Sequence, residues 1–182
     1  MSLEAEFIEI VSNSIIARVL PVIVAARLPH WWLAGGAVRN TVWKHLFGDE
    51  CNLRINDFDV AFFDADGDRQ QELDAKQIME TNFPGYKFDV KNQASFAVWR
   101  PGRRTFSSCE DGVGSWLHTA TAVGVRIEDN GEHAIFAPYG LSDLFEGIVR
   151  PTPEHVDGQA ARDKGQTFLA SCPRLRLAPT NV

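Results

Sequence analysis

The sequence predicts a single domain of mixed α/β type, built from α and β segments in one unit. Three observations carry that expectation. Apolar residues recur every three or four positions near the N-terminus, and short alternating apolar runs follow. No repeat, low-complexity tract or linker separates the two patterns. The 182 residues suffice for one hydrophobic core, and 45% hydrophobic with 23% charged residues is ordinary for a globular chain. We divide the chain 1–182 into a helical segment (1–30), a core (31–153) and a C-terminal segment (154–182).

The elements follow in order. Leu3–Leu20 is expected as one amphipathic helix, with Leu3, Phe7, Ile10, Val11 and Ile15 on a stripe and Pro21 interrupting it. Trp31–Ala34 is too short for a helix and reads as a strand. After Gly35 and Gly36, the residues Val38, Val42 and Leu46 share a helical stripe, and Gly48 suits its end. Phe58–Phe63 is a strand by its aromatic and β-branched content. A helix from Arg69 to about Met79 should follow, with Asp68 as N-cap and Gln71 in the capping-box position. "YKFDVKN" and "SFAVWR" read as two strands, and two alternating runs around Asn130-Gly131 form a hairpin. A helical signal returns at Leu141–Glu146. The end, "SCPRLRLAPTNV", reads as a loose tail whose alternation could instead add an edge strand.

Composition excludes several classes. The formal net charge of −6 argues against gripping long nucleic acid, while small anions need only a few local cations or a metal. Cys51, Cys109 and Cys172 lie far apart, which argues against a disulfide framework and a zinc ribbon. The first residues carry glutamates where a leader would carry lysines, and no segment is apolar enough to span a membrane, so the cytoplasm is the expected compartment. Asp64–Asp74 fails as a calcium loop, because positions six and twelve hold Arg69 and Ala75. His118 and His133 lack metal spacing. Ser107 and Ser108 lack a triad context, Arg103 and Arg104 read as a solvated turn, and Trp43 and Trp99 read as core.

"WWLAGGAVRN" holds the first candidate site. A strand, two glycines and a helix N-terminus allow free amides to face an anion, and Arg39 in the first turn can add a bidentate contact. A plain tight turn would use the same glycines. No GxGxxG or GxxxxGK spacing is present. Asp57 and Asp59 in "NDFDVAFFD" are two apart on a strand and share a face, with Phe58, Val60 and Phe62 on the other. Paired carboxylates repel unless a cation joins them, and oxygen ligands suit Mg²⁺ or Mn²⁺. Asp89, Lys91 and Gln93 share one face of the next polar strand. They read either as a third acid with its neighbours or as a solvated stripe.

"GGAVRN" followed by "DFD" resembles the nucleotidyltransferase superfamily typified by DNA polymerase β and the CCA-adding enzymes. "RNTVW", "NDFDVAFFD", "VKNQA", "TATAVGVR" and "APYGLSDLF" are similar to a family of small bacterial nucleotidyltransferase-like proteins, over about Trp31 to Pro153. The resemblance implies a polymerase β-type fold, a mixed central sheet with helices chiefly on one face. It also implies an Mg²⁺-dependent nucleotidyltransferase that uses an NTP, an unidentified acceptor hydroxyl and a two-metal mechanism. In it Gly35, Gly36 and Arg39 contact the triphosphate, Asp57, Asp59 and Asp89 bind metal, Asp89 serves as base and Lys91 stabilises charge. The family pattern carries Pro-Glu where Leu117 and His118 stand here, which leaves acceptor choice open. Two other readings fit the same residues: a non-catalytic nucleotide-binding or protein-interaction module, and a toxin–antitoxin component acting on RNA.

Overall fold

The computed structural model describes residues 1–96 and 104–179. It opens with two helices rather than one. Helix α1 (Leu3–Ser12) is capped by Ser2, whose hydroxyl accepts from the Ala5 amide, and helix α2 (Ile15–Ala25) is capped by Ser14, which accepts from Ile16. The chain therefore breaks at Asn13-Ser14, not at Pro21, which lies inside α2. A serine that can cap a new helix decides the break, and exposed Pro21 is carried within the helix that follows. The bend between them is 81°, and among the described residues no single helix is long and apolar enough to cross a membrane.

Strand β1 (Trp32–Ala34) leads through Gly35 into helix α3 (Gly36–Phe47), which Gly48 ends at φ 63°. Strand β2 (Asp57–Phe62), helix α4 (Arg69–Asn82) and strand β3 (Lys87–Asn92) form a crossover unit. Asp68 caps α4 as expected, accepting from the Gln71 amide, but the Gln71 side chain turns to Asp64 instead of closing the capping box. Helix α5 (Cys109–Gly114) and the hairpin of β4 (Gly124–Ile127) and β5 (His133–Phe136) come next. Helix α6 (Ser142–Phe145), strand β6 (Ile148–Val149), helix α7 (Gln159–Ser171) and strand β7 (Arg176–Leu177) complete the described elements. The expected strand "SFAVWR" begins instead with Ser95 in a 3₁₀ turn and Phe96 in helical conformation; its remainder, including Trp99, and Arg103 lie outside the described residues.

The five-stranded sheet runs in the order β3-β2-β1-β4-β5, with β2 and β3 parallel and the other pairs antiparallel. One face carries Leu33, Phe58, Val60, Phe62, Phe88, Val90 and Val125 into the main core, beneath most of the helices. The other face carries Trp32, Ala34 and Ala61, which α5 covers through Cys109 and Val113. The part of this second face that α5 leaves open belongs to the acidic residues of β2 and β3.

The C-terminal segment overturns two expectations. Its tail is not loose: β7 pairs parallel with β6, so the edge-strand alternative holds. Before it stands α7, which shows no bulky stripe in the sequence because Ala161, Gly165 and Phe168 are its buried residues. This helix returns Cys172 to Cys51, and the two are joined in a disulfide across 121 positions. Short cysteine spacings could not have revealed a bond that tertiary folding makes. Closing so long a loop restricts the unfolded chain, so Cys51→Ser should lower the stability of the oxidised protein by about 2–4 kcal/mol. Urea unfolding measures this. Equal midpoints for the oxidised parent and the variant would show that the bond contributes nothing.

Candidate active site

The site grows from the turn between β1 and α3. Gly35 sits at φ 74°, a conformation that favours glycine. A Cβ there would also stand 2.6 Å from Asp59 Oδ2 and 2.8 Å from the Trp116 ring. The turn therefore requires glycine twice over. Gly36 differs, because a Cβ on it would meet nothing nearer than 3.9 Å. Its amide donates to Asp59 Oδ2 at 3.4 Å, so the N-terminus of α3 faces the carboxylate.

Sheet register gathers the acids. Ala34 pairs with Asp59, and Asp59 pairs with Asp89 across the parallel β2–β3 ladder. Asp57, two residues before Asp59, lies on the same face, while Phe58, Val60, Phe88 and Val90 are buried on the other. Burial, then the charge of Asp57, pushes the Asp59 carboxyl up to about 6, and Asp89 adds to the push against the opposing Gly36 amide and Arg39. Asp89 forms a 2.6 Å ion pair with Lys91, which lies two residues further along the same strand face. Gln93, expected on that face, instead enters the 3₁₀ turn after β3, is buried, and donates from Nε2 to the Lys91 carbonyl. Among the described residues, no three His, Cys, Asp or Glu side chains stand ready to hold an ion. The three acids thus share a face without forming a closed ligand set.

Arg39 is not the open, solvent-facing cation that its place in a first helical turn suggests. It is 6% exposed, and its Nε and Nη2 donate to Asn40 Oδ1 while Nη1 donates to Thr121. Its guanidinium lies 4.0 Å from the Phe168 ring centroid and 5.1 Å from that of Trp43. Burial brings it down to about 10, against the pull of Asp59.

Two clefts meet at Asp59 and Trp116. One, about 410 Å³, adds Asp89, Lys91, Glu72 and Arg69; the other, about 760 Å³, adds Arg39, Thr121, Lys164 and Phe168. Glu72 is buried and accepts from the Asn92 amide; burial raises its pKa. Sequence reasoning missed Trp116, Thr121, Lys164, Phe168 and Glu72 as lining residues. Thr121 lies in the quoted block "TATAVGVR" without a role read for it, the others belong to no motif, and each arrives from a segment outside the glycine turn and the acidic strands. His118, set aside as a metal ligand, is buried with Nε2 3.0 Å from the Ala161 carbonyl, and burial brings its pKa down to about 4. Ser108 caps α5 instead of serving chemistry, accepting from Asp111.

The raised Asp59 pKa has a stability consequence. The folded carboxyl holds its proton more tightly than the unfolded one, so this contribution is fully present below about pH 4 and lost as pH rises through about 6. Asp59→Asn keeps an acceptor for Gly36 and removes the charge. In chelator-treated buffer at pH 7 the variant should be more stable by roughly 1–3 kcal/mol, with the gap closing near pH 4. Thermal melts at both pH values check this, and a variant that melts lower at pH 7 would contradict it.

The comparisons with known proteins bear on the family and the fold. The pattern of a family described as Nucleotidyltransferase matches residues 22–177. An NMR structure described as revealing a CCA-adding enzyme head domain superposes with TM-score 0.79 at 28% identity, covering 97% of this chain and 96% of that one. A CCA-adding enzyme in complex with CTP follows at TM-score 0.64 and 14% identity, covering 98% of this chain and 44% of that one. The Thermotoga maritima CCA-adding enzyme complexed with tRNA gives TM-score 0.62 and 14% identity, covering 99% and 43%. This chain thus spans less than half the length of those two enzymes, and their likeness is one of fold. No curated protein sequence matches. With the family pattern running through both the glycine turn and the acidic strands, the chain belongs to a nucleotidyltransferase family.

Proposed function

We propose that this chain transfers a nucleoside monophosphate from an NTP to the hydroxyl of an acceptor and releases pyrophosphate. One observation carries the reading: the Ala34–Asp59–Asp89 register sets carboxylates against the N-terminus of α3, reached through glycine. Gly36 supports it, since packing leaves room for a side chain there while a phosphate approaching the amides would need that room. Solved neighbours described as complexes with CTP and with ATP make an NTP a reasonable donor.

The donor set fits Mg²⁺ or Mn²⁺. The acids are hard oxygen donors, and the raised Asp59 pKa marks surplus negative charge that a cation would relieve. Asp57 and Asp59 would hold the metal, with Asp89 joining once it exchanges its Lys91 partner. A two-metal arrangement would neutralise charge at the transferring phosphoryl group and make the hydroxyl more acidic. The protein's own groups do the remainder. The amides of the Gly35-Gly36 turn and Arg39 hold the triphosphate. Asp89 takes the acceptor proton as the acceptor oxygen bonds to the α-phosphorus and the bond to the leaving pyrophosphate breaks. Lys91, released from Asp89, balances the developing charge. The net charge of −6 and the cleft of about 410 Å³ beside Asp89 favour a small acceptor over a long nucleic acid.

The test pairs each labelled NTP with fractions of cell extract and looks for a nucleotidylated product. Asp89→Asn should slow turnover roughly 10²–10⁴-fold while NTP still binds. Asp59→Asn should remove both turnover and metal-dependent binding. If NTP binds but no fraction yields product with the parent protein, a non-catalytic binding module is the better reading.

A further inference from the structure

Two cations share one aromatic ring behind the acidic sheet face. The Arg39 guanidinium lies 4.0 Å, and the Lys164 ammonium 5.7 Å, from the centroid of Phe168. Among the described residues neither is ion-paired with a carboxylate. An anion seated beside that ring would be attracted by both charges.

Both cations line the cleft of about 760 Å³ that also reaches Asp59. Helix α7 presents Ala160, Lys164 and Phe168 to it, four residues apart and so on one stripe. His118 lines the same cleft and is 2% exposed. Its Nε2 pairs with the Ala161 carbonyl, so that nitrogen carries the proton and donates, while Nδ1 is a buried acceptor without a partner among the described residues. A wall with surplus cations and an unused buried acceptor suits a ligand with anions at one end and a hydroxyl or amino donor at the other.

We propose that Lys164 is a direct ligand of the nucleotide's phosphate tail, which makes helix α7 a wall of the nucleotide pocket. The inference rests on reading the chain as an NTP-dependent transferase. Arg39 is held by Asn40 and Thr121 and supplies a fixed charge. Lys164 is exposed on a flexible stem and supplies a mobile one that can follow the phosphates.

Calorimetric titration of the full chain with inorganic tripolyphosphate, and with each common NTP plus Mg²⁺, tests the assignment. Lys164→Ala should weaken both about tenfold to a hundredfold without changing the melting temperature. Lys164→Arg should restore most of the loss. Lys76→Ala, which removes an exposed lysine that lines neither cleft and is paired with Glu80, should bind as the parent does. Unaltered affinity in Lys164→Ala, or an equal loss in Lys76→Ala, would overturn the role of Lys164 and leave the transferase reading intact. A parent that binds neither tripolyphosphate nor any NTP would overturn that reading, and this inference with it.

Discussion

Asp59 faces the amide end of α3, and much of the site follows from that one contact. The carboxylate is largely buried, flanked by Asp57 and Asp89, and receives the Gly36 amide at 3.4 Å. Each neighbour is constrained by it. Gly35 has no room for a side chain because Asp59 Oδ2 and Trp116 occupy the space a Cβ would take. Strand β2 must enter the sheet in the register that places Asp59 beside Ala34 on one side and Asp89 on the other. A one-residue slip would turn Asp57 and Asp59 into the apolar core and bring Phe58 and Val60 into the cleft. The core on the opposite face thus guarantees the site's register.

The charge distribution across Asp59 is asymmetric. On the β3 side lie acids and the Asp89–Lys91 pair, and on the α7 side lie Arg39, Lys164 and aromatic rings. A nucleotidyl transfer joins a polyanion to a hydroxyl, so it needs both a cationic cradle and an acidic metal-binding edge within reach of one another. In this chain a cluster of cations and a cluster of acids meet at Asp59. Burial of the two groups costs stability in the absence of ligand, as the raised Asp59 and lowered Arg39 pKa values indicate, and their mutual attraction offsets part of that cost.

The likeness to CCA-adding enzymes shows the fold and names no acceptor. The solved head domain matches nearly the full length of both chains, whereas the larger enzymes extend well beyond the shared part. A fold hosts many acceptors, and the acceptor is selected by the walls of the clefts. The clefts of this chain are lined by Glu72, Arg69 and Trp116 on one side and by His118 and α7 on the other.

The sequence alone determined the mixed α/β class, the hairpin at Asn130-Gly131, the Asp68 cap and the shared face of Asp57 and Asp59. Each depends on neighbours within a few positions, where backbone geometry sets which side chains align. The sequence could not show that α1 and α2 separate at Ser14. A cap and a proline compete there, and packing decides between them. Nor could it reveal α7: a helix that buries Ala161, Gly165 and Phe168 against other elements has no strong periodic signal of its own. The burial of Arg39 beneath Phe168, the Cys51–Cys172 bond and the ion pairing of Asp89 were likewise decided by the tertiary structure. The first two join residues more than a hundred positions apart, and the third depends on how neighbouring side chains share charge. Local pattern reads what one element does, and only the packed chain decides which elements meet.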